Sequence, residues 1–146
     1  MPKRTKAWDA QDALLALLQA QTWPDNIRPA LGTPARMDGD AVWVSGEVDD
    51  WNAEYRVSGL AQKDETFVPR VHCLVTRLGT FVELRDRLES LGALVEDAIG
   101  QSYSLSGTVM LATIKQQQVE ETMLDDGRRR QGLLTFFIEC EAFVAG

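Results

Sequence analysis

His72 and Cys73 are neighbouring residues whose side chains could act together as a base and a nucleophile. They lie in a segment, residues 64–78, that alternates as a strand does, and adjacent strand residues point to opposite faces. The imidazole therefore cannot activate the thiol within that strand. A single histidine also leaves little scope for a Ser-His-Asp triad or a His-rich metal site. We predict that Cys73 and Cys140 are buried, reduced thiols.

Three acidic clusters could bind calcium or supply an acid–base pair: Asp38-Gly39-Asp40, Asp49-Asp50 and Asp125-Asp126-Gly127. None continues into the loop with a closing glutamate that a calcium hand requires. Asp and Gly in these positions are typical of turns. The sequence has neither a glycine-rich phosphate loop nor a Cys-x-x-Cys motif. We therefore expect no catalytic residue, no cofactor and no metal, and a protein that is not an enzyme.

Two segments are better candidates for contacts with another protein chain. The first is a tryptophan that follows two aspartates in a predicted turn, because aromatic residues are enriched at interfaces. The second is a run of three arginines beside two aspartates at the predicted tip of a hairpin, where positive charge could pair with an acidic patch on a neighbouring copy. The interface residues predicted in this way are Trp51, Asp125, Asp126, Arg128, Arg129 and Arg130.

Length and charge limit the classes of protein that the chain could belong to. Its 146 residues suit one domain with a hydrophobic core, here residues 1–146, with residues 1–6 as a flexible basic N-terminus. The net charge of −7 disfavours a general nucleic-acid-binding protein, which needs clustered Lys and Arg. Because no apolar run is long enough to span a bilayer and no apolar signal region follows the N-terminus, we expect a cytosolic chain.

Residues 79–100 form the most strongly patterned stretch of the chain. Thr80 and Glu83 match a capping box, and Gly100 is placed to end a helix in a left-handed conformation. Glu83 and Arg87 are spaced for an i,i+4 ion pair on the exposed side. One apolar stripe is formed by Phe81, Leu84, Leu88, Leu91, Val95 and Ile99. We expect the apolar stripe of this helix to pack on a β-sheet.

The remaining elements supply that sheet. We predict a helix over residues 7–20 and a proline-rich connection over 22–40. Strands are predicted over 41–48, 64–78, 108–119 and 133–144, with a turn at 49–52 and a further strand or an irregular edge over 53–60. Pro69 indicates a sheet edge or a bulge. The sequence therefore predicts an α+β fold: a mostly antiparallel sheet of about four strands with two helices packed on one face and a long C-terminal β-hairpin.

The order of these elements resembles, over most of the chain, the tail terminator (minor tail) proteins of long-tailed bacteriophages. The N-terminal helix and the proline-rich connection belong to the resemblance. The remaining segments that carry it are Val42-Trp43-Val44, Asp50-Trp51, Phe67-Val68-Pro69-Arg70-Val71, the helix from Arg85 to Glu96, Leu105-Ser106-Gly107-Thr108-Val109 and Asp126-Gly127-Arg128.

The resemblance implies a small subunit that assembles into a ring, commonly a hexamer, in the virion. Such a ring caps the tail tube, ends tube polymerisation and joins the tail to the head connector. The implied partners are other copies of the chain, the tail tube protein and a connector or head-closure protein, and assembly takes place in the host cytoplasm without a membrane. The genome would pass through an acidic lumen without specific binding, with Glu139 and Glu141 as lumen candidates.

Three other functions remain open at this point. Another neck protein, such as a head-closure or connector adaptor, would share the ring-forming features. A small-molecule-binding or hydrolytic α+β domain would use a pocket under the helices, although the residues for a triad or a metal cluster are missing from the sequence. The third possibility is a host protein with a role unrelated to a virion.

Overall fold

The described residues form a five-stranded sheet with two helices packed on one face. The structure is a computed structural model that describes residues 5–35, 39–56 and 62–145. The helices are α1 (Ala7–Gln19) and α2 (Phe81–Gly100), with short 3-10 turns at Pro24–Asn26 and Asp125–Gly127. The strands are β1 (Ala30–Leu31), β2 (Ala41–Tyr55), β3 (Lys63–Arg77), β4 (Leu111–Leu124) and β5 (Arg129–Val144).

The strand order is β1-β2-β3-β5-β4, and all pairs are antiparallel except β1 with β2. This topology confirms the predicted α+β class, the mostly antiparallel sheet and the C-terminal hairpin, which is β4–β5. The fifth strand is β1, whose two residues pair with Trp43 and Val44. It lies inside the proline-rich connection, where the sequence indicated irregular structure.

Helix α2 begins as predicted and ends differently. The backbone N–H of Glu83 donates to the Thr80 side chain at 3.3 Å. At the other end, Gln101 caps the helix in the right-handed region, so the prediction of a left-handed Gly100 is wrong. The predicted pair of Arg87 with Glu83 is replaced by ion pairs of Arg87 with Asp25 and Asp40, because distant chain segments lie within reach of the guanidinium.

The core lies between the helices and one face of the sheet. The predicted alternation is confirmed in β3 and β5, where most buried side chains point to the helices, whereas Val68, Leu74 and Thr135 are buried on the other face. Helix α2 approaches closely at Gly132 of β5, where an added Cβ would lie 2.6 Å from Leu88 Cδ1. Both cysteines are free and buried, as predicted, and burial raises the pKa of Cys73 to about 12.

Strand β2 is longer than the sequence indicated. The predicted turn at residues 49–52 is instead a bulge within one continuous strand, with Asp50 at a φ of 48°. Asp adopts the left-handed backbone conformation more readily than most residues. The turn-forming residues therefore form a bulge, and the chain does not reverse direction. A second bulge in β2 separates Val44 from Val48, opposite Pro69. The irregularity near Pro69 therefore lies in the partner strand, whereas the sequence predicted an edge or a bulge in the strand of Pro69 itself, which is central in the sheet. Of the possible strand over 53–60, residues 57–60 lie outside the described residues.

Candidate assembly surfaces

The outer edge of β4 is the longest unpaired stretch of backbone among the described residues. Strand β4 pairs with β5 over its 14 residues, and no described strand lies on its other side. The edge is occupied only at its start, where Ala112 N donates to Tyr103 O at 2.6 Å. Its side chains are exposed from residue 115 to residue 123. A bulge between Ile114 and Gln116 and the charges of Lys115, Glu120 and Glu121 interrupt the edge, and its free N–H and C=O groups are the kind to which a strand of another chain can pair.

A second, different edge lies on the opposite side of the sheet. Strand β1 covers β2 only at Trp43 and Val44, and within the described residues the outer side of β2 is uncovered from Val48 to Tyr55. Strand β2 runs parallel to β5 and opposite to β4, since each neighbouring pair from β2 to β4 is antiparallel. The β4 edge of one copy can therefore pair with the β2 edge of a rotated second copy as another antiparallel pair.

The face of the sheet opposite to the helices is called here the open face. Lys115 Nζ of β4 lies 3.8 Å from Asp50 Oδ2 of β2 and 3.7 Å from Glu139 Oε2 of β5. Lys115 and Asp50 both lie at bulges, and their side chains approach each other on this side across the two intervening strands.

The open face carries more carboxylates than cations. Arg70 pairs with Glu47 at 2.9 Å and with Asp49 at 3.0 Å, and Arg56 pairs with Asp64 at 3.0 Å. The acidic residues on this face are Glu47, Asp49, Asp50, Glu54, Asp64, Glu120, Glu139 and Glu141, and the basic residues are Arg56, Arg70, Lys115 and Arg129. The face is therefore acidic overall and would repel a polyanion.

His72 also lies on the open face, away from Cys73, as the sequence predicted. Its Nδ1 is 2.8 Å from Thr135 Oγ1, and its ring centroid lies 5.1 Å from that of Trp43, which is buried. Burial and the charge of Arg70 lower the pKa of His72 below its usual value, although Asp49 acts in the other direction. These contacts account for the histidine as a packed residue of the sheet.

The predicted interface residues of the hairpin lie together at the turn between β4 and β5. Asp125 is left-handed, with a φ of 50°, and accepts a hydrogen bond of 2.5 Å from Arg129 Nε. Arg130 lies over the Phe81 ring, 5.4 Å from its centroid, and Arg128 is exposed. The side chain of Asp126 lies outside the described part of the chain.

The hairpin turn extends only slightly beyond the rest of the sheet. Strand β3 accompanies β5 as far as the Arg77–Arg130 pair. The polar stretch over residues 116–131 is therefore mostly part of the sheet. Its contribution to an interface would come from the β4 edge as well as from the arginines.

Trp51 is far from the hairpin turn and takes part in a buried contact that sequence reasoning missed. It is 43% exposed, its Nε1 donates to Glu65 Oε2 at 2.8 Å, and its ring packs edge-on against Trp8 at 5.9 Å. The Glu65 side chain is fully buried and also accepts hydrogen bonds from Thr5 Oγ1 and the backbone N–H of Lys6, both at 2.7 Å. The first described residues of the chain are thus bound to β3, whereas residues 1–4 lie outside the description.

Asp40 forms a second network that the sequence did not indicate. Arg77 donates two hydrogen bonds of 2.7 Å to this carboxylate, and Arg87 Nε donates a third of 2.7 Å. Arg87 also reaches Asp25, so the network joins the proline-rich connection to β3 and α2. Burial acts to raise the pKa of Asp40, but the hydrogen bonds and charges of the two arginines lower it below the usual 3.8.

Replacing Asp40 by asparagine is expected to lower the free energy of unfolding by about 2 kcal/mol at neutral pH, because two partly buried guanidinium groups lose their anion. The folded pKa is below the unfolded one, so this contribution is present above pH 3.8 and is lost as the pH falls through the folded value. Urea titrations at several pH values should show the two proteins converging in acid. Asp86→Asn, on the exposed side of α2, is the control, and a difference that persists unchanged in acid would contradict a charge-based role.

Within the described residues, no helix is both long and apolar enough to cross a membrane. The same part of the chain contains no group of three or more His, Cys, Asp or Glu side chains arranged to hold a metal ion.

Comparisons with solved structures include a distant likeness. No family model matches the chain, and no curated protein matches it. A solved structure described as the virion of a native gene transfer agent (GTA) particle matches over 90% of this chain and 94% of that chain. The sequence identity is 14% and the TM-score is 0.43. At these values the likeness indicates nothing about function.

Proposed function

We propose that this protein is a structural virion subunit that forms a ring at the neck end of a phage tail. The ring would cap the finished tail tube, stop further polymerisation of the tube and join the tail to the head connector. In this proposal the chain has no catalytic role. The proposal combines the family resemblance of the sequence elements with the surfaces described above.

The observation that carries the proposal is the presence of two different open edges on one sheet. Contacts between two unlike surfaces of identical subunits are heterologous, and they produce a ring whenever the rotation between copies closes. The β4 edge and the outer side of β2 from Val48 to Tyr55 supply such a pair, and their strand directions allow antiparallel pairing. The sheet would then continue from copy to copy, with the helices outside.

The contact of Lys115 with Asp50 across the open face supports a lumen lined by this face. Because β2 and β4 approach each other on this side at these residues, we expect a closed series of copies to turn this face inward. The lumen would then present Glu139 and Glu141, both exposed, among an excess of carboxylates. A negative wall repels DNA phosphates, so a genome could pass without binding. The tail tube protein and a connector or head-closure protein would contact the two rims of the ring.

The experiment that tests ring formation is native mass spectrometry over a concentration series, with negative-stain images of the largest species. We expect a closed ring of defined subunit number, commonly six in the family that the sequence resembles, to appear as the concentration rises. Open chains of undefined length, or a monomer at every concentration, would contradict assembly through these two edges.

A further inference from the structure

The helix layer of the protein leaves one corner of the sheet uncovered. Helix α2 packs mainly on β3 and β5, and α1 packs beside it on the β2 side. The helix-side face of β4 is therefore exposed, including Val119 and Met123, each 54% exposed. A sheet normally buries its apolar face against a second layer, so this corner is where a further element would pack.

A groove of about 550 Å³ lies at this corner, between α2 and β4. Leu134 and Phe136 of β5 form its floor, Val119 forms the β4 side, and Gly92 lies on the α2 side. The absence of a side chain at Gly92 brings the helix close to the sheet, since an added Cβ would lie 2.8 Å from Leu134 Cδ2. The floor is apolar and extends along the helix.

The rim of the groove is acidic. Glu89 and Glu96 of α2 and Glu121 of β4 surround it, and all three are exposed. In the described part of the chain, none of the three forms an ion pair. The one cation at the rim, Arg85, stacks on the Phe81 ring at 4.6 Å. The rim therefore offers unpaired negative charge around an apolar floor.

We propose that this groove binds an amphipathic helix with basic flanks, contributed by a different protein. A helix lying beside α2 would complete the missing layer, with its apolar side on Val119 and its Lys or Arg residues on the three glutamates. The helices of this chain do not fit, because α1 contains no Lys or Arg and α2 is itself acidic overall. The site is on the helix side, away from the open face, and binding is measured on the unassembled subunit because Val119 and Glu121 belong to the strand whose edge is proposed to pair.

The test uses a stapled synthetic helix of about 15 residues with Leu at i, i+3, i+4 and i+7 and Lys on both flanks. A matched peptide carries Glu in place of each Lys. Binding to the full-length protein is measured by fluorescence anisotropy at low and high salt. We expect the Lys peptide to bind, the Glu peptide not to bind, and salt to weaken the interaction.

Two variants with the same net charge locate the site. Glu89→Lys, Glu96→Lys and Glu121→Lys together should raise the Kd for the Lys peptide at least about tenfold. The control combines Glu120→Lys, Glu139→Lys and Glu141→Lys on the open face, and it should leave the Kd within about twofold. All six residues are exposed, so both variants should fold, which circular dichroism checks.

A third variant tests the apolar contact. Val119→Ser leaves the rim charges in place and should raise the Kd about fivefold through lost apolar contact. The proposal is overturned if the Lys peptide does not bind, if the open-face control weakens binding as much as the rim variant, or if Val119→Ser has no effect. None of these results would alter the edge pairing on which the ring depends.

Discussion

A single proline in β4 is expected to weaken ring formation by at least about tenfold while leaving the subunit folded. The two positions are Gln117 and Gln118, made as separate variants. Successive N–H groups of an edge strand point alternately to the neighbouring strand and away from it. One proline therefore removes a hydrogen bond to β5, and the other removes a donor that only a second copy could use.

Thermal unfolding at low concentration distinguishes the two variants, because only one should retain the unfolding midpoint of the unmodified protein. For that variant, native mass spectra should show that half-assembly needs at least about a tenfold higher concentration. A tenfold change corresponds to a loss of about 1.4 kcal/mol in the free energy of association. The other proline variant, which disturbs the β4–β5 pairing, is the control for a folding defect. If the folded variant still forms rings at the original concentration, the β4 edge is not the interface.

Replacing Glu65 by alanine is expected to lower the free energy of unfolding by about 3 kcal/mol and the unfolding midpoint by about 10 °C. The substitution leaves the Trp51 indole N–H and the donors of Thr5 and Lys6 without their buried acceptor. Hydrogen bonds to a charged group contribute about 1.5–3 kcal/mol each, and part of the loss is recovered where water can reach the donors. Chemical denaturation measures the difference.

The neighbouring carboxylate gives a matched control. Asp64 points to the open face and pairs with Arg56, but its side chain is 51% exposed, so Asp64→Ala should cost less than about 1 kcal/mol. Glu65→Gln keeps the shape and one acceptor oxygen, and its stability should lie between those of Glu65→Ala and the unmodified protein. Equal effects of Glu65→Ala and Asp64→Ala would contradict the importance of the buried contacts.

Features set by local pattern were predictable from the sequence. The apolar stripe of α2, its Thr80 cap and the alternation in β3 and β5 all follow from spacing and from side chains within a few residues of each other. Pro69 indicated an irregularity because proline lacks the donor that a ladder requires, but the extra residues lie in the partner strand β2. The same logic failed at residues 49–52, where turn-forming residues were placed in a bulge of β2 by pairing with β3.

Features set by contacts between distant segments were not predictable. Asp40 meets Arg77 and Arg87 only after the connection, β3 and α2 have packed together. Glu65 could have been noticed, because it continues the alternation of buried residues in β3 as a lone carboxylate. The two open edges required the strand order, which the sequence left undetermined. The interface residues predicted at the hairpin turn and at Trp51 stay predictions.

The most direct test of the proposed role is to add this protein to polymerising tail-tube subunits from the same virion and to measure tube lengths by electron microscopy. The account predicts that tubes become shorter as the protein concentration rises, and that one end of each tube carries an additional ring with a central hole. The folded proline variant of β4 is the matched control and should leave the tube lengths unchanged. Unchanged lengths and bare ends with the unmodified protein would contradict the account and favour another position in the neck.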